Sequence, residues 1–241
     1  MFATIVLLAT WIILGVPSAL VLFAWTLLTR DVRPLYRCAM SIVRIGLRLA
    51  GIRIAVVWQQ PLDSSRHYIF LSNHVSNLDP PVLIPLLPGR AAVVLKRSLM
   101  KIPVLGWGMK LAGFIPVDRD GRVESAMESV EIAKRTLASG VHILSFPEGT
   151  RSRDGRLQPL KKGPFYMAME SGAPVVPISI HGTESMMKKG SVRIVPGTAH
   201  VLFHPPMRPQ DYATREDLMA AVHNAIASGL PEWMRKEVAS C

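Results

Sequence analysis

The sequence predicts an α/β domain, with a mixed central sheet flanked by helices, behind an N-terminal hydrophobic helical segment that anchors it to a membrane. Three observations predict this. Apolar strand-like runs alternate with stretches of helical spacing from Ile52 onward. No repeat, low-complexity tract or linker interrupts the chain after Gly51, so residues 51–241 read as one domain. Residues 1–28, "MFATIVLLATWIILGVPSALVLFAWTLL", contain no Asp, Glu, Lys or Arg, and roughly 20 apolar residues are enough to cross a bilayer core.

Residues 1–50 are read as anchoring and interfacial helices. Pro17 interrupts the backbone ladder, which allows one kinked, tilted span or a shallow two-helix hairpin. A cleaved leader would begin with basic residues and end at a small-residue site, and this run does neither. Arg30, Arg33 and Arg37 follow Leu28, with no basic side chain before them. The positive-inside rule places that end, and the domain behind it, on the cytoplasmic face of the inner membrane. Residues 35–52 have helical spacing, with Arg37, Arg44 and Arg48 on one side and Ile42, Ile45 and Leu49 packed on another. Such a helix either covers a protein surface or lies on anionic headgroups.

The domain follows in order. Residues 52–58 ("IRIAVVW"), 68–72 ("YIFLS"), 91–96 ("AAVVLK"), 114–118 ("FIPVD"), 141–146 ("VHILSF") and 175–180 ("VVPISI") read as strands. Pro80 opens a helix at "PPVLIPLL". Between residues 123 and 139, Ala126, Val130, Ala133 and Leu137 recur at helical spacing. Glu128 and Glu131 come early and Lys134 and Arg135 late, as the helix dipole favours. "VRIVPGTAHVLF" (192–203) reads as a hairpin around Pro196-Gly197. Thr214 opens the last helix, with Asp217 three residues on completing a capping box.

Charge narrows the partner. The formal net charge is +11 and the mean hydropathy +0.28. A basic chain seeks nucleic acid or anionic lipid, and the apolar N-terminus selects lipid over nucleic acid. Two cysteines, Cys38 and Cys241, make neither a disulfide framework nor a thiolate metal site.

Chemistry concentrates on three turns. In "LSNHVSNLDPPVL" (71–83), His74 and Asp79 stand five residues apart between a strand and a helix. Within a helix they would sit about 140° apart and could hardly meet. In a turn, Asp79 can accept from one imidazole nitrogen and leave the other to take a proton. The plainer reading is a loop histidine followed by a helix-capping carboxylate. "GFIPVDRD" (113–120) ends a strand in Arg119, and "FPEGTRSRDG" (146–155) follows another with Glu148, Gly149, Thr150 and Arg151. A Gly-shaped loop with a fixed guanidinium, a hydroxyl and exposed N–H groups suits a phosphate ester. Alternatively, Arg119 is a structural ion-pair partner, Glu148 a loop cap and Thr150 a turn former. His142, His181, His200, His204 and His223 lack spaced partners and read as structural.

These stretches together resemble the glycerolipid acyltransferase family, specifically the 1-acyl-sn-glycerol-3-phosphate (lysophosphatidate) acyltransferases. Its NHx4D motif is matched by residues Asn73 to Asp79, its second motif by Gly113 to Arg119, its third by Phe146 to Ser152, and its fourth by Val176-Pro177-Ile178. The likeness runs from about Ile52 to Phe203, with the motifs in order. It implies acyl transfer from acyl-CoA or acyl-carrier protein, as co-substrate, to the sn-2 hydroxyl of lysophosphatidate, forming phosphatidate. His74 would be the general base, oriented by Asp79. Arg119, Glu148, Gly149, Thr150 and Arg151 would hold phosphate and glycerol, with Lys101 as a further contact. A thioester is already activated, so no nucleophile elbow is needed and none occurs. No cofactor is implied, and no third ligand stands at metal spacing from His74 and Asp79. Three alternatives remain: an acyltransferase for another lysolipid or for glycerol-3-phosphate, a membrane-tethered hydrolase in which His74 and Asp79 activate water, and a non-catalytic binder of anionic lipid, which would not need His74.

Overall fold

The computed structural model describes residues 1–101, 106, 109–110, 113–117, 123–188 and 190–235. The uncharged N-terminal run forms one α-helix, α1 (Phe2–Thr29), continuous through Pro17. A proline inside a helix lacks one ladder donor, which membrane helices tolerate; at the next residue the Ser18 hydroxyl donates to the Leu14 carbonyl at 2.6 Å. Arg30, in the left-handed region at φ 56°, ends the helix. The Asp31 carboxylate accepts the Arg33 N–H, and α2 (Arg33–Leu49) begins.

α2 returns along α1. Gly46 permits the close crossing, since a Cβ there would stand 2.5 Å from the Trp11 indole nitrogen. The other side of α2 is tied to the domain, through the Tyr36 hydroxyl, which accepts from the Ala91 N–H, and the Arg44 guanidinium on the Pro85 carbonyl. This docking corrects the expected helix faces. Ile42, Gly46 and Leu47 are buried, whereas Ile45 and Leu49 are exposed beside Arg44 and Arg48. The contacts to α1 and to the domain take two sides of the helix, and Ile45 and Leu49 lie on neither.

The sheet contains β1 (Ile52–Trp58), β2 (Ile69–Ser72), β3 (Ala91–Lys96), β4 (Ile115–Val117), β5 (His142–Ser145), β6 (Val175–His181) and β7 (Gly197–Phe203), in the order β1-β7-β6-β2-β5-β3-β4. From β6 to β4 all neighbours are parallel; β7 is antiparallel to β6, and β1 is parallel to β7. The carboxyl ends of the five parallel strands therefore lie at the same end of the sheet as the starts of β1 and β7. The central strands are buried on both faces, as parallel strands covered by helices require. One face packs on α1, α2 and α3 (Asp79–Leu83). The other packs on α4 (Val123–Ala138), α5 (Gly163–Ser171) and α7 (Arg215–Ser228). α7 starts in the expected capping box of Thr214 and Asp217.

Residues 192–203 are not a hairpin. β7 begins at Gly197 and pairs with β1 and β6, while 191–196 carry no strand. The Ile194 N–H is taken by the Thr4 hydroxyl at 2.8 Å and the Val195 N–H by the Met186 carbonyl at 2.9 Å, beside the short α6 (Thr183–Met186). Donors spent on α1 and α6 are not available to a second strand.

Candidate active site

The parallel sheet positions the site. In such sheets functional groups gather at the carboxyl ends of the strands, where chain leaves the ladder without pairing. β2 ends at Ser72, and Asn73 then replaces one more ladder step. Its side-chain amide donates to the Ile180 carbonyl and accepts the Ile180 N–H, both at 2.8 Å. The turn carrying His74 is thus clamped to β6.

Asp79 does not cap α3. Its carboxylate is turned back into the preceding turn, where Oδ2 accepts the N–H groups of Val75 and Ser76 and bonds His74 Nδ1, each at 2.8 Å. Oδ1 accepts the Thr183 hydroxyl at 2.5 Å. A carboxylate only accepts, so Nδ1 carries the imidazole proton and Nε2 presents a lone pair. Among the described residues no side chain engages Nε2. The ring stacks on Phe146, centroids 4.1 Å apart, which fixes its plane.

Glu148 supports the turn from behind. Its side chain is buried; Oε1 accepts the His74 N–H at 2.8 Å and Oε2 accepts the Gln158 amide at 2.9 Å. Burial pushes its carboxyl up to about 7; the His74 and Gln158 hydrogen bonds pull it down, and the Asp79 charge adds to the rise. Ser152 N–H closes the strap onto the His74 carbonyl at 2.8 Å. Gly149 takes φ 74°, a conformation side chains resist, and its N–H is spent on the Phe146 carbonyl. Thr150 is exposed on the rim with Arg151 next to it, and the Thr150 carbonyl accepts the Gln158 amide. Lys101 is exposed at the end of the 3-10 turn following β3. Arg119 lies outside the described residues. A cavity of about 380 Å³ opens beside the turn, between Val75, Ser152, Arg153, Glu184 and Lys188.

The structure thus brings His74, Asp79 and the 148–151 loop together. Three contributors escaped the sequence reading. Thr183 and Gln158 donate to the two carboxylates, and Phe146 stacks on the imidazole. Thr183 lies 104 residues from Asp79. Its local signal is the Gly182 before it, at φ 91°, which turns β6 into α6. His142 and His204 are structural, accepting from the Tyr68 N–H and pairing with the Ser179 hydroxyl.

The acyltransferase family model matches residues 53–181, more than half of the chain and all of this turn–loop arrangement except Thr183. The chain belongs to the acyltransferase family. It is 37% identical over 168 residues to the 1-acyl-sn-glycerol-3-phosphate acyltransferase BAT2, chloroplastic, of Brassica napus, covering 67% of this chain and 46% of that one. Against the human 1-acyl-sn-glycerol-3-phosphate acyltransferase alpha it is 33% identical over 185 residues, covering 75% and 65%. The chain therefore spans between about half and two-thirds of the length of these curated relatives. The crystal structure of the 1-acyl-sn-glycerophosphate (LPA) acyltransferase PlsC from Thermotoga maritima superposes with a TM-score of 0.78 at 27% identity, over 95% of this chain and 93% of that one. The family's mixed α/β sheet with flanking helices is the fold described above.

Proposed function

We propose that this chain acylates the sn-2 hydroxyl of 1-acyl-sn-glycerol-3-phosphate from an acyl thioester, forming phosphatidate. The observation that carries the reading is the His74–Asp79 pair, whose carboxylate is buried and fully bonded while the outer imidazole nitrogen is open. Nε2 takes the hydroxyl proton as the oxygen attacks the thioester carbonyl. The C–O bond forms, the tetrahedral intermediate collapses, and the C–S bond breaks. The departing thiolate recovers the proton from the imidazolium, which Asp79 stabilises throughout.

Around this pair the loop divides the work. Both Glu148 oxygens are occupied by backbone and amide donors, so Glu148 holds the turn in place and does not face a phosphate. Gly149 supplies the bend. The Thr150 hydroxyl and the Arg151 and Arg119 guanidinium groups are the headgroup ligands, with Lys101 as a further cation. The donor, acyl-CoA or acyl-carrier protein, is anionic in either form, and a +11 chain attracts both.

The helices supply the membrane. α1 is apolar on its exposed side from Phe2 to Leu28 and lies along α2, which is itself bound to the domain through Tyr36 and Arg44. A span would carry α2, with Arg37, Arg44 and Arg48, to the far side or through the core at high cost. We assign α1 to one leaflet of the cytoplasmic membrane, with the domain facing the cytoplasm.

The test is phosphatidate formation from lysophosphatidate and a panel of acyl-CoA and acyl-carrier-protein donors, with His74→Ala alongside. The variant should lose about 10²–10⁴-fold, the usual contribution of a general base. Equal rates from both proteins would reduce His74 to a loop residue, and release of free fatty acid would make the enzyme a hydrolase.

A further inference from the structure

α1 and α2 do not account for all the apolar surface at one end of the molecule. In the segment 191–196, Ile194 is turned inward at 4% exposure while Val192 and Val195 stand out at 76% and 45%. Arg193 is exposed between them. These two valines stand beside the exposed apolar start of α1, and apolar side chains gathered at the surface mark a partner. The Thr4 hydroxyl accepts the Ile194 N–H and donates to the Val192 carbonyl at 3.3 Å. A cavity of about 270 Å³ lies between segment and helices, and the exposed Phe2 and Leu49 line it together with Arg193 and Val195.

This patch sits at the catalytic end of the sheet. Gly197 begins β7 there, and the pairing of His181 with His200 carries β6 and β7 past the end of β2. Hydrogen bonds connect the two places. The Val195 N–H is held by the Met186 carbonyl, and the adjacent Met187 carbonyl accepts the Ser76 hydroxyl at 2.9 Å, two residues from His74.

We propose that the Val192–Val195 turn is a second bilayer contact, which seats the carboxyl end of the sheet, and with it His74, against the headgroup layer of an anionic membrane. The proposal rests on the reading of α1 as a membrane helix. Two valines around an arginine suit that boundary, with apolar side chains in the acyl region and a guanidinium at the lipid phosphates. A lysolipid can then keep its chain in the leaflet while its glycerol reaches His74. Thr150 and Arg151, which follow the carboxyl end of β5, share that end of the fold with Val192 and Val195.

The experiment places an environment-sensitive fluorophore (NBD) on Val192→Cys in the full-length Cys38→Ser, Cys241→Ser protein, reconstituted with vesicles of phosphatidylethanolamine and phosphatidylglycerol. Ser65→Cys, exposed in the turn before β2 at the opposite end of the sheet, is the aqueous control, and Leu20→Cys reports on α1. The reporter at 192 should shift to the blue and be quenched by lipids spin-labelled near the headgroup, while the one at 65 does neither. A reporter at 192 that behaves like that at 65 overturns the proposal. An unshifted reporter at 20 overturns the membrane reading of α1, whatever is seen at 192. Independently, the double variant Val192→Asp, Val195→Asp should lose about tenfold or more on vesicle-embedded lysophosphatidate. It should retain its rate on a short-chain, water-soluble analogue. Equal loss on both substrates, or on neither, refutes the seating role.

Discussion

Thr183→Val isolates the contact that the catalytic carboxylate makes outside its own turn. The change keeps the shape of the side chain and deletes one donor, leaving Asp79 Oδ1 buried without its 2.5 Å partner. A hydrogen bond to a charged group is worth about 1.5–3 kcal/mol. The three donors on Oδ2 remain, so the carboxylate keeps its charge and loses what stops it rotating away from the imidazole plane. If most of that energy is expressed as the imidazolium forms, kcat falls about 10- to 100-fold. KM for both substrates should change little, because Thr183 lies behind Asp79, and Thr183→Ser should recover most of the rate. Steady-state phosphatidate formation, with thermal denaturation as a check on folding, measures this. A folded Thr183→Val protein with wild-type kcat would refute the reasoning.

Glu148 makes stability depend on pH. Burial raises its carboxyl from 4.5 to about 7, so the folded protein keeps a proton that the unfolded chain releases between those values, and stability falls as pH rises through this window. The fall, on the order of 3 kcal/mol, should be absent from Glu148→Gln when denaturation midpoints are compared from pH 4.5 to 7. Asn73→Ala removes both bonds to Ile180 and leaves a buried N–H and C=O unmet, at a cost of roughly 2–4 kcal/mol. The denaturation midpoint should drop, and a variant as stable as wild type would show that the clamp is dispensable.

Much of the fold was legible because its signals are local. β1 and β3 run over the residues expected, since β-branched side chains between turn residues leave little choice. α4 and α7 follow their charge pattern and capping box. α5 carries no such signal: it is nine residues long, follows Lys161 and Lys162, and is marked only by Pro164 near its start and Gly172 beyond its end. The apparent hairpin at 192–203 failed because Pro196-Gly197 has the composition of a turn, while the donors before it were claimed by Thr4 and Met186, which no local pattern reveals.

The sequence by itself determined the α/β class, the apolar helix, and the placing of His74 and Asp79 on one strand-to-helix turn, because periodicity, turn chemistry and short spacing act within a few residues. The tertiary structure decided what each carboxylate does. Asp79 could have capped α3 and Glu148 could have faced a phosphate. The folded chain brought Thr183 to the first and Gln158 and the His74 N–H to the second, and a buried carboxylate takes the donors that packing delivers.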